Sequence, residues 1–106
     1  MECQVKFSDL KLKEAFENLK ESDERLYKEI DRALGEISNN GFYGRQVKKK
    51  LIPKELIIKY NINNLWIYNL RKDWRLLYSI VNEEIKVIAL LLDWMNHKDY
   101  ERLFKF

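Results

Sequence analysis

The chain is 106 residues long, a length for one domain. Its 46% hydrophobic and 35% charged residues, with three glycines and one proline, exclude disordered, collagen-like and proline-rich classes. The formal net charge of +3 is unevenly spread: −3 over residues 1–40, +7 over 41–82 and −1 over 83–106.

Cys3, Val5 and Phe7 alternate with Gln4 and Lys6, which predicts a short half-buried strand. Ser8 offers an N-cap oxygen, and Leu12, Ala15, Phe16 and Leu19 at helical spacing predict a helix over 9–20. Ser22 is the next N-cap candidate. Leu26, Ile30, Ala33, Leu34 and Ile37 form one apolar stripe, and Asn39-Asn40-Gly41 ends that helix. A break at Glu21-Ser22 predicts an antiparallel helix hairpin with its acids facing outward. Residues 41–44 read as a turn, followed by a basic stretch from Arg45 to Lys50. Pro53 opens a short helix over 54–60, and 61–64 is a loop.

From Leu65 the pattern turns to strands. Residues 65–70 are rich in β-formers, and Arg71-Lys72-Asp73 is a hairpin connection. Over 74–81, Trp74, Leu76, Tyr78 and Ile80 face one way and Arg75, Leu77, Ser79 and Val81 the other. Asn82-Glu83-Glu84 is a second turn. Residues 86–94, the most apolar strand, are expected at the centre of the sheet. A short helix over 97–104 closes the chain.

The fold class predicted is α+β: an N-terminal strand, a helix hairpin, a mainly antiparallel three-strand meander and a short C-terminal helix, in the order β-α-α-β-β-β-α. The hairpin covers one face of the sheet, and Arg75 emerges on the other. A lone cysteine, Cys3, excludes an intrachain disulfide and fits a reducing compartment. One Cys and one His cannot furnish the four ligands of a structural zinc, and no cofactor is expected. The longest apolar run, 87–92, is far short of the roughly 20 residues of a membrane span. No secretory leader is visible, so the expected location is the cytoplasm, with no membrane partner. The basic middle stretch suggests a polyanion-facing surface, with a solvated lysine face as the plain alternative.

This order resembles the RelE/ParE superfamily of toxin–antitoxin toxins. The resemblance is carried by Asp73-Trp74-Arg75-Leu76-Leu77-Tyr78, by the apolar strand ending Leu91-Leu92-Asp93, and by His97-Lys98-Asp99-Tyr100-Glu101-Arg102. It implies a small basic ribonuclease that works without metal in the ribosomal A site. There the mRNA 2′-hydroxyl attacks the adjacent phosphate, leaving a cyclic phosphate and a free 5′-hydroxyl. It also implies mRNA and ribosome as partners, and a cognate antitoxin that blocks the site. ParE-type members keep the fold and poison DNA gyrase instead. A third reading is a non-catalytic RNA-binding or interaction module on the same fold. Some RelE members carry two lysines on the strand before the hairpin; residues 65–70 have none. The His97/Tyr100 pair is more like the branches that rely on histidine.

The reaction needs a base, positive charge for the phosphorane and an acid for the leaving oxygen. Arg75 is the candidate phosphate stabiliser, because guanidinium matches phosphate bidentately; its plain alternative is an exposed strand arginine. His97, the only histidine, is the candidate acid or base, against a helix-start residue with no chemistry. Tyr100, three residues on, can stack on a base, hold phosphate or donate a proton, or simply anchor the helix. Arg102 is expected to pair with a neighbouring acid. Arg45, Lys48, Lys49, Lys50 and Lys54 are expected to bind the RNA backbone. Arg71 and Lys72 at the hairpin tip could touch ribosomal RNA, although tips are often charged for solubility alone. Trp66, Trp74 and Trp94 read as core.

Overall fold

The computed structural model describes residues 3–71, 74–83 and 86–105. Its elements are β1 (Gln4–Phe7), α1 (Leu10–Ser22), α2 (Glu24–Asn39), β2 (Arg45–Gln46), a 3₁₀ turn (Lys49–Leu51), α3 (Lys54–Tyr60), β3 (Trp66–Asn69), β4 (Trp74–Glu83), β5 (Lys86–Asn96) and α4 (His97–Phe104). The strands form one sheet in the order β1-β5-β4-β3-β2. β1 runs parallel to β5, and every other pairing is antiparallel.

The α+β class and the helix hairpin are as predicted, but both caps move by one residue. Asp9, not Ser8, accepts from the Leu12 amide at 2.8 Å. The Ser8 amide instead donates to Leu91 O at 2.8 Å, which keeps Ser8 attached to β5. Asp23, not Ser22, caps α2 by accepting from the Leu26 amide at 3.1 Å. Ser22 stays helical and returns its hydroxyl to Asn18 O at 3.2 Å, so Asp23 alone separates the two helices. Two of the helical acids do not simply face water. Glu29 pairs with Arg71 at 3.6 Å, and Glu36 accepts from the Tyr68 hydroxyl.

The hairpin packs on one sheet face as expected. Phe16, Leu26, Ile30, Ala33 and Ile37 meet Trp66, Leu76, Tyr78, Ile80, Ala89 and Leu91, with Trp74 and Trp94 at the margin. The second face is not an open polar surface. Val47, Ile52, Leu56 and Ile62 cover Leu65, Ile67, Leu77 and Leu92, and Tyr100 of α4 completes this core. The reason lies in the strands: apolar residues occupy both alternating sets, so each face must be buried. β4 and β5 are thus both interior. β4 lies at the middle because β1 adds beyond β5, and apolarity alone could not rank the two strands. An extra residue in β5 helps fill both cores. Leu77 pairs with Asp93 and Tyr78 with Leu91, so Leu92 bulges between them. Leu91 packs on the hairpin side and Leu92 on the other.

Two strand boundaries also differ. β4 runs through Asn82 and Glu83, which were expected in a turn; Glu84 lies outside the described residues. β2 was not predicted, since Arg45 and Gln46 are poor β-formers. It forms because Gly44 lets the chain press against β3: a Cβ there would stand 2.7 Å from both Ile67 O and the Tyr78 hydroxyl. Tyr78 fastens the turn, donating its hydroxyl to Gly41 O and accepting from the Gly44 amide, both at 2.9 Å. Among the described residues, no helix is long and apolar enough to cross a membrane.

Candidate functional site

Arg75 lies on β4, on the face opposite the hairpin, where β5 gives way to α4. Asn96 caps α4 by accepting from the Asp99 amide at 2.9 Å, and this turn sets His97 beside Arg75. Arg75 Nη2 lies 3.3 Å from His97 Nδ1. The other ring nitrogen, Nε2, contacts Glu101 one helical turn on. These partners assign the Nε2–H tautomer, with Glu101 accepting and Nδ1 turned to the guanidinium. The arrangement leaves 47% of the His97 side chain in solvent.

Tyr100 sits at the centre, only 5% exposed. Its ring carries the Arg75 guanidinium, with Cζ 5.4 Å from the centroid. It also packs on Phe104, at 4.6 Å between ring centres. Its hydroxyl accepts from Arg45 Nη2 at 3.2 Å. Arg45 can reach because it pairs with Ile67, and cross-strand partners share a face. A groove of about 330 Å³ opens here between the 3₁₀ turn and α4, lined in part by Arg45, Lys48, Leu51, Tyr100 and Phe104. The two guanidinium groups thus meet Tyr100, with the His97 imidazole beside Arg75 and Lys48 on the groove wall. Such a site can hold a phosphate and exchange a proton.

Of the residues singled out from the sequence, Arg75, His97 and Tyr100 come together, and Arg45 joins them as a direct partner rather than a remote backbone binder. Lys48 lines the same groove. Lys49 and Lys50 are exposed on the 3₁₀ turn, and Lys54 is exposed at the start of α3. Arg71 is turned to Glu29 on the hairpin side, away from this group. Lys72 lies outside the described residues. Arg102 pairs with Asp99 at 3.5 Å, as expected. Sequence reasoning missed Glu101 and Phe104, although the spacings His97 to Glu101 and Tyr100 to Phe104 are both i to i+4 on one helix.

A second polar group lies at the sheet edge. Glu36 accepts from Tyr68 and Arg32, and the Tyr68 hydrogen bond is the main reason its carboxyl titrates below the usual range. Burial first, then the hydrogen bond to Glu36 and its charge, push the Tyr68 phenol well above its ordinary value. Asp93, opposite Leu77 at the bulge, is held above the usual carboxylate range by burial, partly offset by the Trp94 amide. Among the described residues, no three His, Cys, Asp or Glu side chains converge as a metal ion requires.

The five-stranded sheet with a helix hairpin on one face is a small α+β architecture also found in a solved toxin. The YoeB/ParE toxin from Agrobacterium tumefaciens superposes with a TM-score of 0.61 at 12% identity, over 89% of this chain and 98% of that one. The fold therefore agrees with the family resemblance read from the sequence. No protein-family model and no curated protein matches the chain.

Proposed function

We propose that the protein is the toxin of a toxin–antitoxin pair, a ribosome-dependent mRNA endonuclease that stops translation in the cytoplasm. One observation carries this reading: Arg75 bridges His97 Nδ1 and the face of Tyr100, while Arg45 holds the Tyr100 hydroxyl. A scissile phosphate drawn to Arg75 and Arg45 takes the place of their present partners. Turning Arg75 to the phosphate frees Nδ1 to accept the 2′-hydroxyl proton, with Glu101 steadying the imidazolium. The 2′-oxygen then bonds to phosphorus, the bond to the 5′-oxygen breaks, and that oxygen takes a proton from water, to which the imidazolium afterwards returns its own. The products are a cyclic phosphate and a 5′-hydroxyl. Arg75 and Arg45 face the charge that builds on the phosphorane, and the ribosome presents the strand in line. The likeness to a YoeB/ParE toxin supports an antitoxin partner, which on the family resemblance would block this site.

The test is primer extension on a defined mRNA in a translating extract. Cuts at A-site codons that vanish without ribosomes, and with Arg75→Ala or His97→Ala, are expected. Intact mRNA with folded wild-type protein would overturn the reading. Growth arrest with DNA damage and intact mRNA would assign the gyrase activity instead.

A further inference from the structure

Tyr43 is 56% exposed, yet it does not hang free. Its ring stacks on Tyr68 at 5.5 Å between centres and 23° between planes. The Tyr68 phenol donates to Glu36, and the turn beneath Tyr43 is fastened by Tyr78 through Gly41 and Gly44. The pair walls a cleft of about 390 Å³ at the β2–β3 edge, together with Gly44, Arg45 and Asn69. That volume falls within the range of small-ligand sites, roughly 300–1,000 Å³. Arg45 is the wall this cleft shares with the Tyr100 groove.

We propose that the Tyr43–Tyr68 pair is a stacking subsite for one unpaired base of an RNA strand, entering around the sheet edge with its phosphate on Arg45. The inference rests on the reading of the Tyr100 groove as a phosphate site. Chemistry selects a base rather than a phosphate at the pair itself. The Glu36 carboxylate repels an anion there, while an aromatic ring already fixed in place stacks on any base with little loss of freedom. Continuity through Arg45 selects a strand rather than a free nucleotide, since both clefts are then filled by one ligand.

The experiment is binding of a short fluorescent oligoadenylate to the purified protein at low salt, without ribosomes. Tyr43→Ala is expected to weaken binding about tenfold with an unchanged melting temperature, and Tyr43→Phe to stay within about twofold of wild type. An abasic site walked along the oligomer should abolish the Tyr43→Ala penalty at a single position. Three results overturn the inference: no binding by the wild type, equal binding by Tyr43→Ala, or a penalty that persists at every abasic position. The readout needs no cleavage, so it fails separately from the nuclease reading. Intact mRNA in extract beside Tyr43-dependent binding rejects only the nuclease. A-site cuts beside Tyr43-independent binding reject only the subsite.

Discussion

Tyr78 and Tyr100 are buried to nearly the same degree on opposite faces of one sheet, at 1% and 5% exposure. Tyr78 lies under the helix hairpin, and both of its hydroxyl contacts go to backbone, at Gly41 and Gly44. It is a peg, and its partners are fixed. Tyr100 belongs to α4 and joins the core on the other face, and its hydroxyl and ring meet the ends of long side chains, Arg45 and Arg75. Those guanidinium groups can swing to another acceptor at little cost, whereas a turn cannot. On the proposed reading, one residue type at one depth thus serves architecture on one face and recognition on the other. What separates the two is that the Tyr78 hydroxyl is held by backbone while the Tyr100 hydroxyl meets the side chain of Arg45.

Four substitutions test these assignments. The largest effect is expected from Arg75→Ala, which removes charge from the reacting phosphate. It should lower mRNA cleavage by roughly 10²–10³-fold, scored by primer extension, with the urea unfolding midpoint near wild type. Next comes Tyr78→Phe, which strands the Gly44 amide and Gly41 carbonyl. Urea unfolding should report a loss of about 1–3 kcal/mol, with β2 and Arg45 loosened as a consequence. Tyr100→Phe makes the same chemical change on the other face, but Arg45 can turn to water. A loss of less than about 1 kcal/mol is expected by the same measurement, and losses of equal size would erase the distinction between peg and platform.

The smallest effect concerns Asp93, whose folded pKa is raised by burial. The native state then binds the proton more tightly than the unfolded chain. Stability contributed by the protonated form is fully present below the unfolded pKa and lost as pH rises through the folded value. Asp93→Asn keeps an oxygen for the Trp94 amide and removes the buried charge. Unfolding curves of variant and wild type should converge in acid and part at neutral pH, with the variant the more stable. The opposite order at neutral pH would mean that the carboxylate is held by a favourable partner.

Much of this was legible in the chain. The helix hairpin, α3 at Lys54–Tyr60 and α4 at His97–Phe104 follow from apolar spacing and breakers. Arg75, His97 and Tyr100 could be grouped because a charged residue in an apolar strand and a polar helix start are local signals. The edge strand β2 was not legible, because its cause is the Cβ-free approach of Gly44 to a strand far along the chain. The second core was hidden too. Leu77 and Leu92 look like the back of a two-layer fold until residues 47–62 fold over them. For the same reason Arg45 read as one more cation in a basic run, since its link to Tyr100 spans 55 residues.

The parallel pairing of β1 with β5 joins Gln4–Phe7 to residues 88–91. During synthesis the first strand emerges early but has no partner until the last strand follows. The helix hairpin can form locally in the meantime, while the pairing of β1 waits until residues 88–91 have been made. Such distant closure slows folding, and a nascent copy of the sheet stays incomplete until β5 has emerged.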